Sequence, residues 1–154
     1  ASRRRISDPQ SLHEAADAVH LLDHTKLYPG AIEAIEFLSS KKLAVMSNKR
    51  QRFCDAILNG LGITRYFASI QGGDTPRAKK PDPAPLLHIC EILKISPSRA
   101  AMVGDSTVDV AAGKGAGMVT VALTGGFTPP EIMSSCHADF VLPTVAALDR
   151  GPLT

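Results

Sequence analysis

Five short, uninterrupted apolar runs separated by segments of helical period limit this chain to few folds. They are LAVMS (43–47), FASI (67–70), AAMVG (100–104), MVTVAL (118–123) and DFVL (139–142). A strand with one wet face alternates apolar and polar residues, whereas a run apolar throughout is covered on both faces. Helices between such runs make each connection a crossover, so the strands lie parallel.

The intervening segments fit that scheme. Leu12, Ala15, Ala16, Val19 and Leu22 recur at helical spacing and predict an amphipathic helix over 11–23. The breaker Tyr28-Pro29-Gly30 opens a second helix, with Ile32, Ile35 and Leu38 on one face. Phe53, Ile57 and Leu61 mark a third helix that stops near Gly60 and Gly62. A fourth is expected over 83–94, after the turn KKPDPAP, and a short fifth begins near Thr107. The tail repeats the theme more weakly, with DFVL and then TVAALD. The fold class read from this pattern is α/β, a doubly wound and mainly parallel sheet with helices on both faces. Residues 1–27 read as an N-terminal extension and 28–154 as the core domain.

With 154 residues, 44% of them hydrophobic, the chain can build one domain with a real core. Tryptophan is absent and aromatics make up 5%, so that core is aliphatic. A net charge of +2 gives no nucleic-acid surface, and the run Arg3-Arg4-Arg5 reads as a solvated arm. Cys54, Cys90 and Cys136 are far apart, odd in number and without zinc spacing. They read as reduced, mostly buried thiols of a cytoplasmic protein. No apolar run reaches the length of a membrane span, which predicts no membrane partner. His13, His20 and His24 read as exposed helix residues, and His88 and His137 as structural or surface groups.

Ligands of such sheets sit beyond the carboxyl ends of the strands, and three of those ends carry chemistry. In LAVMSNK, Ser47 and Asn48 precede a helix, where a hydroxyl, an amide and free N–H groups can cradle an anion or simply cap the helix. In RAKKPDP, Lys79 or Lys80 stands in a loop stiffened by three prolines, a compact charge suited to phosphate. In VGDSTVDV, Asp105 follows the strand and Asp109 enters the first turns of the next helix. That pair can converge on a hard cation such as Mg²⁺, or Asp109 can serve the helix terminus.

These pieces, in this order, resemble the haloacid dehalogenase superfamily and within it the phosphoglycolate phosphatases. The matching stretches are DHTKLYPGAIEAIEFL, LAVMSNK, GGDTPRAKKPDP and AMVGDSTVDVAAGKGAG, covering about 23–125. The resemblance implies Mg²⁺-dependent hydrolysis of a small phosphate monoester such as 2-phosphoglycolate, through an aspartyl-phosphate. It implies that Ser47 hydrogen-bonds the phosphoryl group, with Asn48 shaping the same turn, and that Lys80 neutralises phosphoryl charge. It also implies that Asp105 ligates Mg²⁺, with Asp109 close behind, directly or through water.

One element of the family pattern is missing from the sequence. The first motif, a strand ending in Asp-x-Asp-Gly-Thr, carries the nucleophile and the general acid–base, and no stretch matches it. LLDHTKL lacks the second acid and the glycine, and its Asp23 closes a helix-period segment. In the family the nucleophile strand runs between the strand of Ser47 and the strand of Asp105. Its absence predicts a gap of roughly 10 Å between those neighbours, since adjacent strands lie about 4.8 Å apart. The helix over 11–23 then resembles the last helix of the family's cap, and the chain reads as a truncated, inactive portion of a hydrolase. Two alternatives are a non-catalytic protein that binds Mg²⁺ and phosphate or a protein partner, and a receiver-like phospho-acceptor. The late position of Asp105 and Asp109 speaks against the receiver.

Overall fold

The computed structural model describes residues 26–74, 78–150 and 153. The helix expected over 11–23, the arginine arm, Asp23, His13, His20 and His24 lie outside the described residues. The remainder runs in chain order as α1 (Ala31–Phe37), β1 (Leu43–Met46), α2 (Gln51–Gly60) and β2 (Phe67–Gln71). It continues through α3 (Ala84–Leu93), β3 (Ala101–Gly104), α4 (Thr107–Gly115) and β4 (Val119–Leu123). Then come α5 (Pro130–Ser134), β5 (Phe140–Leu142) and a closing 3₁₀ turn, Val145–Arg150. The five apolar runs are the five strands, and every strand pairing is parallel.

The strands form two sheets, β1–β2 and β3–β4–β5. Among the described residues, no strand pairs with the second edge of β1 or of β3. The two sheets nevertheless share cores on both faces. Leu43 of β1 and Val103 of β3 pack against one cluster, Leu38, Val121 and Leu148. Met46 of β1 and Met102 of β3 pack against another, Leu86, Ala112 and Ala116. A third cluster, Val110, Ala122 and Met133, seats α5 on β4. Burial of these aliphatic side chains holds the half-sheets in one body.

Two helices differ from the sequence reading. The expected face of α1 was Ile32, Ile35 and Leu38; the buried face is Ala31, Ala34 and Leu38, while Ile32 is 41% exposed. The reason is proximity. Gly30, at φ 81, packs so closely on Ala146 that a Cβ there would collide with it. The two small buried residues, Ala31 and Ala34, lie on the turn that follows this contact. The second difference is α5, a helix the weak tail pattern did not predict, opened by Pro129-Pro130 and anchored by fully buried Met133.

Small residues also explain α4. Ala112 is fully buried, and a Cβ on Gly113 would come within 2.7 Å of Met102 Cβ and 2.8 Å of Thr120 Cγ2. The alanine- and glycine-rich sequence of α4 lets it lie directly on β3 and β4. Its first turn, carrying Asp109, is thereby brought to the end of β3.

Candidate active site

Lys80 is the centre of the arrangement at the strand ends. Its ammonium lies 2.5 Å from Asp109 Oδ1, and both side chains are 9% exposed. The same ammonium donates to Met46 O, the last carbonyl of β1, at 2.9 Å. One side chain therefore ties the end of β1 to the first turn of the helix that follows β3. Charge-assisted bonds of this kind are stronger than neutral ones, and poor access of water strengthens them further.

Asp109 has two tasks. While Oδ1 meets Lys80, Oδ2 accepts from Ser106 N at 3.2 Å and from Ser106 Oγ at 2.9 Å. Ser106 is the N-cap of α4, and Asp109 at its third position closes a capping box. The carboxylate also lies at the positive end of the helix dipole. Gly104 allows this fold-back, since a Cβ there would overlap the Asp109 carboxylate.

Asp105 is placed differently. It is half-buried just past β3, and its side chain packs against Gly126, where a Cβ would collide with it. It lines a cavity of ≈ 260 Å³ with Tyr28, Leu123, Gly125 and Thr144 at the carboxyl ends of β3 and β4. For a hard cation, the donor set fits at Asp105. Mg²⁺ takes few protein carboxylates and keeps waters, and Asp105 would offer it one oxygen donor beside an open cavity. Both Asp109 oxygens are already engaged, and among the described residues no group of three His, Cys, Asp or Glu side chains comes together.

The turn after β1 departs from a simple helix cap. Helix α2 starts at Gln51, with extended Arg50 as N-cap, so neither Ser47 nor Asn48 caps it. The Ser47 hydroxyl accepts from Lys49 N at 3.2 Å, and Ser47 N donates to Gln71 O at 3.0 Å. Asn48 reaches the lysine loop instead, bonding Lys80 N–H and C=O at 3.0 and 2.9 Å. The structure thus joins Asn48, Lys80 and Asp109 in one network. Ser47 stands next to it in sequence, and Asp105 stands beside the neighbouring cavity. Lys79, the other lysine of the loop, is exposed.

Three residues of this region went unnoticed in the sequence. Asp74 Oδ1 accepts from Gln51 N at 2.6 Å, so a carboxylate from another loop takes the leading N–H of α2. That bond, followed by one from its own backbone N–H and then by the charges of Arg50 and Arg52, holds the Asp74 carboxyl below the usual carboxylate range. Gln51 Oε1 in turn accepts from Gly72 N at 2.6 Å. Ser106 is the third, and Ser-x-x-Asp before an apolar helix was its readable signal. The Gly72-Gly73 pair has a steric cause: a Cβ on Gly73 would come within 2.7 Å of the Asn48 backbone.

The thiols take no part in the network. Cys54 and Cys90 are buried and free, and burial pushes both thiols up, against an opposing Ser47 hydrogen bond at Cys54.

A lysine–carboxylate pair thus stands at the meeting of two parallel half-sheets, with a second aspartate directly after β3. A family model of haloacid dehalogenase-like hydrolases matches residues 4–117. The chain belongs to that family. It is 39% identical over 131 residues to a phosphoglycolate phosphatase of Chromobacterium violaceum, covering 84% of this chain and 58% of that protein. It is 44% identical over 105 residues to one of Psychrobacter arcticus, covering 67% and 46% respectively. The chain spans about half the length of these relatives. Its fold superposes on the crystal structure of a predicted phosphoglycolate phosphatase from Haemophilus somnus with a TM-score of 0.83 and 29% identity. That match covers 89% of this chain and 62% of the other. The haloacid-dehalogenase-like fold read from the sequence is the fold observed. Among the described residues no helix is long and apolar enough to cross a membrane.

Proposed function

We propose that this chain is the phosphoryl-binding portion of a phosphoglycolate-phosphatase-like, Mg²⁺-dependent phosphate monoester hydrolase of the cytoplasm. Its attacking aspartate comes from polypeptide outside these 154 residues. The observation that carries the reading is the position of the Lys80 ammonium, 2.5 Å from Asp109 and 2.9 Å from the last carbonyl of β1. A cation fixed between two strand ends, beside a half-buried aspartate, is suited to a transferring phosphoryl group.

In this reading Lys80 neutralises charge on the phosphoryl oxygens, and the Ser47 hydroxyl turns from Lys49 N to donate to one of them. Asp105 holds Mg²⁺, and Asp109 supports the site from behind, through Lys80 and through water. The metal would supply Lewis-acid polarisation of the phosphoryl group. The nucleophile belongs on a strand inserted between β1 and β3, whose second edges are unpaired among the described residues. The sequence preceding Tyr28 is the proposed remnant of a cap domain, and the core is 28–154. The substrate is a small ester such as 2-phosphoglycolate.

Turnover of 2-phosphoglycolate and p-nitrophenyl phosphate with Mg²⁺ tests the proposal. The chain alone should show none, since losing a covalent nucleophile removes several orders of magnitude in rate. Adding an N-terminal segment that bears the Asp-x-Asp-Gly-Thr strand, fused or in trans, should restore activity and raise thermal stability. Robust Mg²⁺-dependent turnover by the chain alone, abolished by Asp23→Asn, would make Asp23 the nucleophile and overturn the reading. Phosphate and Mg²⁺ binding with no rescue by the added segment would favour the non-catalytic alternative.

A further inference from the structure

We infer that Asn48 is a positioning residue: its carboxamide clamps the backbone of Lys80 and so fixes where the Lys80 ammonium stands. Lys80 N donates to Asn48 Oδ1 at 3.0 Å, and Asn48 Nδ2 donates to Lys80 O at 2.9 Å. One side chain satisfies both backbone groups of one residue, 32 positions away, much as a neighbouring strand would. Apart from the ammonium's own bonds, the other bonds of the lysine loop among the described residues are local, Asp82 N to Lys79 O at 3.0 Å and Ala84 N to Asp82 Oδ1 at 2.8 Å. They shape the turn without setting its distance from β1.

A lysine has a long, flexible stem, so its charge is only as well placed as its backbone. Asn48 is itself held. Gly73 packs against its backbone, and Gly73 N donates to Lys49 O at 2.6 Å. The chain of control runs from the Gly72-Gly73 turn to Asn48, then to the Lys80 backbone, then to the ammonium. The carboxamide is therefore committed to Lys80 and is not itself an anion ligand, which divides the work of the Ser47-Asn48 pair. The consequence for phosphate rests on the function proposed above; the positioning of Lys80 does not.

The test uses the full chain labelled with ¹⁵N-lysine, followed by NMR of the Lys80 ammonium and by titration with inorganic phosphate. Bound to Met46 O and Asp109, the wild-type ammonium should exchange its protons slowly. Asn48→Leu, of similar volume, should lose that protected signal and bind phosphate about tenfold more weakly. Asn48→Asp keeps the acceptor for Lys80 N and loses the donor to Lys80 O, and should fall between; it decides the matter if Asn48→Leu does not fold. Asp82→Ala removes a local bond of the same loop, the one to Ala84 N, and should leave the ammonium signal in place, separating positioning from general loosening. An unchanged ammonium signal in both Asn48 variants overturns the inference, as does its equal loss in Asp82→Ala. If Lys80→Met leaves phosphate binding intact while the ammonium still depends on Asn48, the phosphate role of Lys80 fails and the positioning role stands.

Discussion

The Lys80–Asp109 pair allows a quantitative test, because the two side chains are buried to the same degree and have different fallback partners. Breaking a buried pair by removing one member costs about 3–5 kcal/mol, mostly because the other charge stays buried without a counter-ion. In Asp109→Asn the ammonium keeps Met46 O at 2.9 Å, and the new amide oxygen can still accept from it. That places the loss near the lower end, about 3 kcal/mol. In Lys80→Met the carboxylate keeps Ser106 N and Ser106 Oγ at 3.2 and 2.9 Å. Those bonds and the helix terminus reduce the loss to about 2 kcal/mol. The double variant leaves no orphan charge and should lose only about 2 kcal/mol, giving a coupling of about 3 kcal/mol. Urea unfolding followed by circular dichroism measures all four proteins. Each single variant should lower the midpoint with the slope unchanged. Single losses that simply add in the double variant, within about 0.5 kcal/mol, would refute the idea that the pair acts as a unit.

Three further expectations concern separate residues. Calorimetric titration with Mg²⁺ should give heat for the wild type and little for Asp105→Asn, and identical heats would remove Asp105 as the ligand. Thr120 N and Thr120 Oγ1 donate to Asp139 Oδ2 at 2.8 and 3.0 Å, and the backbone bond, then the hydroxyl, draws the Asp139 carboxyl below its ordinary value. A depressed folded value means its contribution is present above the unfolded pKa and fades as pH falls through the folded one. Asp139→Asn should therefore flatten the acid limb of the stability curve, and an acid limb identical to wild type would contradict that assignment. Gly73→Ala should destabilise by about 2 kcal/mol in urea, because the new methyl meets Asn48 backbone rather than a movable side chain; a neutral outcome would show that the turn yields.

What the sequence determined by itself was the order of elements and the class of fold. Residue-by-residue apolarity records burial on both faces, and that signal is local, so LAVMS, FASI, AAMVG, MVTVAL and DFVL were readable as strands. The strand ends carrying Ser47 and Asp105 were legible for the same reason, since a polar residue directly after a buried run has one place to go; Lys80 was legible only as a lysine in a proline-rich loop. Close approaches were decided by tertiary structure. Periodicity put Ile32 on the inner face of α1, but next to the close approach of Gly30 and Ala146 the buried residues are Ala31 and Ala34. The weak pattern of the tail concealed α5, whose anchor is a single methionine. Asn48 read as part of a turn and Asp109 as one of a pair of acids. Which group each meets depends on partners 32 and 29 residues away, brought within hydrogen-bond distance only when both half-sheets pack on shared cores. Helical and strand periods are written into neighbouring residues; a buried ion pair between a loop and a helix start is a property of the packed chain.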